Sequence, residues 1–161
     1  MDFQAAILVA SDRIYRGEQE DESGRAAAGL LGDCAQVAEL RVVPDERDLI
    51  AAALREWSDR GIGLILTIGG TGLSARDVTP EATREVIERE VPGISAALLR
   101  QGLSSTPRAM LSRATAGTRK ESLIVNLPGS VSAVNELVPY LLQVVPHALD
   151  VLRGEPEPYA D

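Results

Sequence analysis

The chain has 161 residues and 17.1 kDa, the size of about one domain, and its 45% hydrophobic content can build a core, which excludes a disordered chain. Lys and Arg total 16 against 24 acids, for a net charge of −8; this excludes a general nucleic-acid or anionic-membrane binder but leaves room for a local anion site made of backbone N–H groups. One cysteine (Cys34) and one histidine (His147) exclude a disulfide framework and the usual zinc sites, whereas carboxylate-bound magnesium remains open.

The N-terminus enters an apolar run at once, with no basic segment before it, and no stretch reaches the ~18 apolar residues of a membrane span. A soluble, cytoplasmic protein forming a single domain over 1–161 is expected. Residues 5–10 read as a buried strand, followed by a polar, acidic loop from Ser11 to Ser23 in which Asp21 or Ser23 caps the next helix. A helix is predicted over 25–35 and a loosely alternating strand over 37–43. Leu49, Ile50, Ala53, Leu54 and Trp57 recur at helical spacing over 47–60, before Gly61. Residues 62–68 form a second buried strand. Helices are predicted from Pro80 to Glu90, over 94–101 and near 107–114, and a third buried strand over 122–127. The final helix starts near 131 with bends at Pro139 and Pro146, and Glu155 to Pro158 read as a loose tail. Strands apolar on both faces, alternating with helices, imply a three-layer α/β/α domain with a mostly parallel central sheet.

Ligands of such sheets sit at the carboxyl ends of the strands. The three strongest strands end at Ser11-Asp12, at Gly69-Gly70-Thr71-Gly72 and at Pro128-Gly129-Ser130, so the three turns are expected along one sheet edge. Three glycines in four positions allow close backbone approach to an anion, and the pattern is neither a Walker A loop nor G-x-G-x-x-G. Thr79 and Pro80 read as the N-cap and first residue of the following helix. Asp77 and Ser74, with the second glycine turn, favour a phosphate site holding a metal ion over a plain strand-to-helix turn. Asp45 and Glu46 are read either as helix caps or, for Asp45, as a second magnesium carboxylate. His147 is expected on a helix surface, Trp57 and Leu54 in the core, and Arg113 and Arg119 are read as ordinary surface arginines or, less favoured, as phosphate partners.

Gly69 to Gly72 followed by Arg76-Asp77-Val78-Thr79-Pro80 resembles the signature of the MogA/MoaB family of molybdenum cofactor biosynthesis proteins, which includes the gephyrin G domain. Ser11-Asp12-Arg13, Val43-Pro44-Asp45-Glu46, Leu111-Ser112-Arg113 and Asn126-Leu127-Pro128-Gly129-Ser130 fall in the same order, so the resemblance covers about 5 to 153. It implies a three-layer α/β domain, usually a homotrimer, that acts as a molybdopterin adenylyltransferase. Such a protein binds Mg-ATP and molybdopterin, transfers AMP to the pterin phosphate and releases pyrophosphate, and its product passes to a MoeA-type molybdate-insertion partner. The resemblance assigns Asp45 and Asp77 to magnesium and to orienting the phosphates. It assigns Gly69, Gly70, Thr71, Gly72 and Ser74 to the phosphate cradle, Pro128, Gly129 and Ser130 to a matching turn, and Ser11, Asp12 and Ser112 to the pocket. Many members carry a proline, sometimes followed by lysine, where this chain has Val131 and Ser132. A MoaB-like paralogue that binds molybdopterin or nucleotide, or scaffolds other enzymes, without efficient transfer is the second reading. An unrelated phosphatase or kinase lacks its lysine, histidine or cysteine.

Overall fold

The structure is a computed structural model in which residues 3–155 are described. In chain order the elements are β1 (Phe3–Ala10), α1 (Asp12–Tyr15), α2 (Glu22–Leu31), β2 (Ala35–Val43), α3 (Arg47–Asp59), β3 (Leu64–Ile68), α4 (Thr79–Val86), β4 (Arg89–Glu90), α5 (Pro92–Leu103), β5 (Ala116–Arg119), β6 (Ser122–Leu127), α6 (Val131–Leu142) and α7 (Val145–Leu152), with a 3₁₀ turn at Pro107–Leu111. The strands form one sheet in the order β2-β1-β3-β6-β5-β4. The first four of these strands run parallel, and β5 and β4 add an antiparallel edge.

The alternation of side chains along β1 explains the three layers. Ala5, Ile7 and Val9 point into a core shared with Leu31 of α2, Val134, Leu137 and Leu141 of α6, and Leu149 of α7. Ala6, Leu8 and Ala10 point the other way, against Ile50, Leu54 and Trp57 of α3 and Ala82 and Val86 of α4. Both faces are therefore dry, which is why β1, β3 and β6 read as continuous apolar runs. Trp57 and Leu54 are fully buried, as expected, while Leu49 is about half exposed and lies off the apolar face. No helix among the described residues is long and apolar enough to cross a membrane.

Several predicted boundaries shift for local reasons. The Ser11–Ser23 loop contains a helical turn, because the Ser11 hydroxyl accepts from the Ile14 N–H, and α2 starts early because the Asp21 carboxylate accepts from the Gly24 N–H. The helix predicted to reach 35 stops at Leu31, and Ala35 already pairs with Phe3 in the sheet. The helix predicted to reach Glu90 stops at Val86, since the Glu88 N–H donates to the Thr118 carbonyl and Arg89 and Glu90 pair with β5. The two short edge strands carry too few residues to show a period. The last helix breaks at Gln143–Val144; Pro139 is tolerated inside α6, and Pro146 falls in the first turn of α7, where no N–H is needed. His147 is exposed on α7, as expected. Of the expected tail, Pro156 to Pro158 lie outside the described residues.

Candidate functional site at the carboxyl ends of the parallel strands

Parallel pairing of β2, β1, β3 and β6 brings their carboxyl ends, and the turns that follow, to one edge. The contact is close enough to demand glycine. A Cβ on Gly69 would sit 2.5 Å from the Ala10 carbonyl oxygen, whereas one on Gly129 would meet the Gly69 Cα at 3.4 Å, an ordinary contact that brings the two turns side by side. Gly69 and Gly70 adopt φ of +92° and +68°, backbone that other residues resist. The Gly69 N–H donates to the Leu127 carbonyl, and the Ser23 hydroxyl of α2 donates to the Gly129 carbonyl at 2.6 Å. Among the described residues, the backbone N–H groups of Gly70, Thr71, Gly72, Gly129 and Ser130 donate to no protein acceptor. Two adjacent turns thus present free donors, the arrangement that binds an anion.

The carboxylates beside these turns are organised as a reciprocal pair. The Asp12 N–H donates to Asp45 Oδ2 and the Asp45 N–H donates to Asp12 Oδ1, each at 3.0 Å. Arg76 closes over Asp12 with two bonds of 3.0 Å and reaches Glu46 Oε1 at the same distance. The guanidinium and the Asp45 N–H hold Asp12 below the ordinary aspartate value of 3.8. Asp45 is pushed the opposite way, above 3.8, by burial first and then by the charges of Asp12 and Asp77, against the pull of the Asp12 N–H. Its Oδ1 is buried and has no hydrogen-bond partner among the described residues. Asp77 accepts from the Ser74 N–H through Oδ2, which would lie 2.9 Å from a Cβ on Gly72. Asp45 and Asp77 therefore flank the glycine turn as expected. Asp12 is committed to holding Asp45 and Arg76, a different task from lining a pocket.

Serine hydroxyls at this edge mainly shape backbone. Ser11 and Ser130 are N-caps, Ser130 accepting from the Ala133 N–H and lying 3.4 Å from the Ser132 hydroxyl. Ser74 accepts from the Arg76 N–H, and Ser112 from the Ala114 N–H. Val131 begins α6 directly after the second turn, and the Ser130 hydroxyl caps the helix there. Ser112, Asn126 and Pro128 border a largely apolar cleft of about 230 Å³ that is also lined by Leu98, Leu99 and Leu137.

Three residues are placed differently from the roles considered for them. Thr79 is not the N-cap of α4: it is the first helical residue, Val78 precedes it, and its hydroxyl has no partner among the described residues. Arg113 is spent on structure. Its guanidinium donates to the Gly72 carbonyl at 2.8 Å and the Asp77 carbonyl at 2.7 Å, and it pairs with Glu81. It clamps the glycine turn and is not free for a phosphate. Arg119 lies at the far end of β5, paired with Asp59 and Glu88, away from the site.

Sequence reasoning missed Arg76 as a latch and Asn126 as a hub. Asn126 is buried, donates to the hydroxyls of Thr67 at 2.8 Å and Thr83 at 2.9 Å, and accepts from the Thr115 N–H. It ties β3, β6 and α4 together one residue before the Leu127-Pro128 turn. A buried asparagine in a strand that is otherwise apolar was the available signal.

Residues 6–147 match the family described as "Probable molybdopterin binding domain" in molybdenum cofactor biosynthesis. The chain belongs to this family. Among its relatives, a molybdopterin adenylyltransferase of Helicobacter pylori is 38% identical over 152 residues, 92% of this chain and 86% of that protein. Dictyostelium discoideum gephyrin is 38% identical over 94% of this chain, which spans 23% of the gephyrin length. Among solved structures, the molybdopterin biosynthesis enzyme MoaB of Thermus thermophilus has 47% identity and a TM-score of 0.89, covering 96% of this chain and 98% of that one. The six-stranded α/β architecture is thus the family's.

Proposed function

We propose that this chain is a molybdopterin adenylyltransferase, transferring AMP from ATP to the phosphate of molybdopterin with release of pyrophosphate. The observation that carries the reading is the pair Asp45 and Asp77 set against two glycine turns with free N–H groups, in a chain so similar to a relative of that name. In the reaction, a phosphate oxygen of molybdopterin attacks the α-phosphorus of ATP as the bond to pyrophosphate breaks. No covalent enzyme intermediate is required, so positioning and charge neutralisation supply most of the rate. The backbone N–H groups of Gly70, Thr71 and Gly72 bind phosphate oxygens, and those of Gly129 and Ser130 face them from β6. Asp12 and Arg76 fix the Asp45 carboxylate, and Arg113 fixes the backbone on either side of Leu73 to Arg76. The cleft beside Ser112 and Pro128 provides apolar space for the organic part of a substrate.

The residues present fit magnesium: the unpartnered Asp45 Oδ1 and the Asp77 carboxylate are hard oxygen donors, and magnesium bound with phosphates needs only one or two protein carboxylates. When bound, the ion neutralises charge on the phosphates. A single domain over 1–161, a homotrimer, a cytoplasmic setting and a MoeA-type partner belong to the same reading.

Asp77→Ala tests it. Among the described residues its side chain bonds only the Ser74 N–H, so the fold is expected to stay intact while AMP transfer is lost. Normal transfer by this variant would remove Asp77 from the site. Tight molybdopterin binding by the unaltered chain without product would favour the binding-only paralogue.

A further inference from the structure

β2 stands at one end of the sheet, and among the described residues only β1 pairs with it. The Val43 carbonyl accepts from the Ser11 N–H, so Val43 turns its backbone groups toward β1. Successive strand residues turn theirs to opposite sides. Arg41 and Glu39 therefore also face β1, while the N–H and C=O of Leu40 and Val42 point away from the sheet. A bare edge of this kind is a template for another strand, and proteins commonly block it with lysine or proline. Residues 35–43 hold neither. The one irregularity is a bulge at Ala38, which has no partner in β1; it bends the first half of β2 and confines an added strand to the run from Ala38 onward.

That run complements itself when reversed. Ala38-Glu39-Leu40-Arg41-Val42 reads apolar, acid, apolar, base, apolar. Glu39 and Arg41 stand side by side on the α3 face, Glu39 accepting from Trp57 Nε1 at 2.9 Å and Arg41 lying 5.1 Å from the centre of the Trp57 ring. Leu40, on the other face, is 36% exposed. We infer that β2 continues the sheet into a second copy of this chain, antiparallel across a two-fold axis at Leu40. The Leu40 N–H then donates to the carbonyl of the partner's Leu40, and the reverse. Glu39 falls opposite the partner's Arg41, and Ala38 opposite the partner's Val42. An axis one residue later would set Arg41 against the partner's Arg41, a like-charge pair that destabilises a sheet, so the charges select the register. The inference does not rest on the transferase reading.

The test compares the mass of the full chain with that of Leu40→Lys by sedimentation equilibrium, with the melting temperature as the check on folding. The unaltered chain is expected to have twice the mass of Leu40→Lys, a pair of trimers against one trimer if the subunits also form trimers. Leu40→Cys and Gln36→Cys, each in a Cys34→Ser background, test the register under mild oxidation. Paired Cα atoms at the axis lie about 5.5 Å apart, within disulfide reach, whereas the two copies of residue 36 lie roughly 25 Å apart along the strands. Leu40→Cys is expected to form a covalent dimer, and Gln36→Cys to stay uncrosslinked. Equal masses for the unaltered chain and Leu40→Lys would overturn the pairing. So would a failure of Leu40→Cys to cross-link, or cross-linking of Gln36→Cys as readily as of Leu40→Cys.

Discussion

Gly70→Ala and Gly61→Ala make a controlled pair. Both glycines have positive φ, +68° at Gly70 and +78° at Gly61, so a methyl group costs similar backbone strain at each, roughly 1–2 kcal/mol. At Gly61, after α3 and away from the site, the new Cβ meets nothing within 4 Å. At Gly70 it would stand 2.2 Å from Thr79 Oγ1, where ordinary contact begins at 3.4 Å, so the start of α4 must retreat by about 1 Å. The retreat adds about 1–3 kcal/mol, the usual cost of inserting a methyl into packed structure. It also displaces Asp45 and the phosphate turn, and a 1 Å misplacement can reduce a rate by about a hundredfold. Urea unfolding and single-turnover AMP transfer, measured on both variants, separate the two effects. Gly61→Ala is expected to lose only the strain energy and keep its activity per folded molecule. Gly70→Ala is expected to lose more stability and nearly all transfer. Equal stability losses together with full activity in Gly70→Ala would refute the placement of the site against this glycine.

The remaining predictions concern the groups around it. Asn126→Leu removes the partner of Thr67, Thr83 and the Thr115 N–H, and is expected to cost about 3 kcal/mol in urea unfolding. Asp45 is held above 3.8 in the folded chain, so the stability present below that value is lost as pH rises through the raised one. Asp45→Asn is therefore expected to melt higher than the unaltered apo chain at pH 7, with the gain fading in melts taken below pH 3.8. Asp12 is held below 3.8 by Arg76, so its contribution is present above 3.8 and is lost as pH falls through the lowered value. Arg76→Gln is expected to reduce stability at neutral pH, and the difference from the unaltered chain should shrink in melts taken progressively below pH 3.8.

Much of this was legible in the residues because the strands and turns are local signals. The run SLIVNL over 122–127 coincides with β6, and strands buried on both faces correctly implied a parallel sheet with its glycine turns at one edge. What the sequence hid depends on distant partners. Nothing near Arg89 and Glu90 announces a strand, because that strand exists only through pairing with Thr118 and Gly117. Thr79 followed by Pro80 looks like a cap, yet the Thr79 N–H is taken by the Gly70 carbonyl and the helix starts one residue early. Arg113 resembles a phosphate ligand until the carbonyls of Gly72 and Asp77 are seen to occupy it. The acid pair is the clearest case: Asp12 and Asp45 are 33 residues apart, and only parallel pairing of β1 with β2 lets each accept the other's N–H.

The most direct test is a single-turnover reaction of the unaltered chain with molybdopterin and Mg-ATP, with adenylylated molybdopterin and pyrophosphate separated by chromatography. Equal amounts of the two products, abolished by chelating the magnesium, are expected. Molybdopterin and ATP that both bind but remain unchanged would contradict AMP transfer at this site.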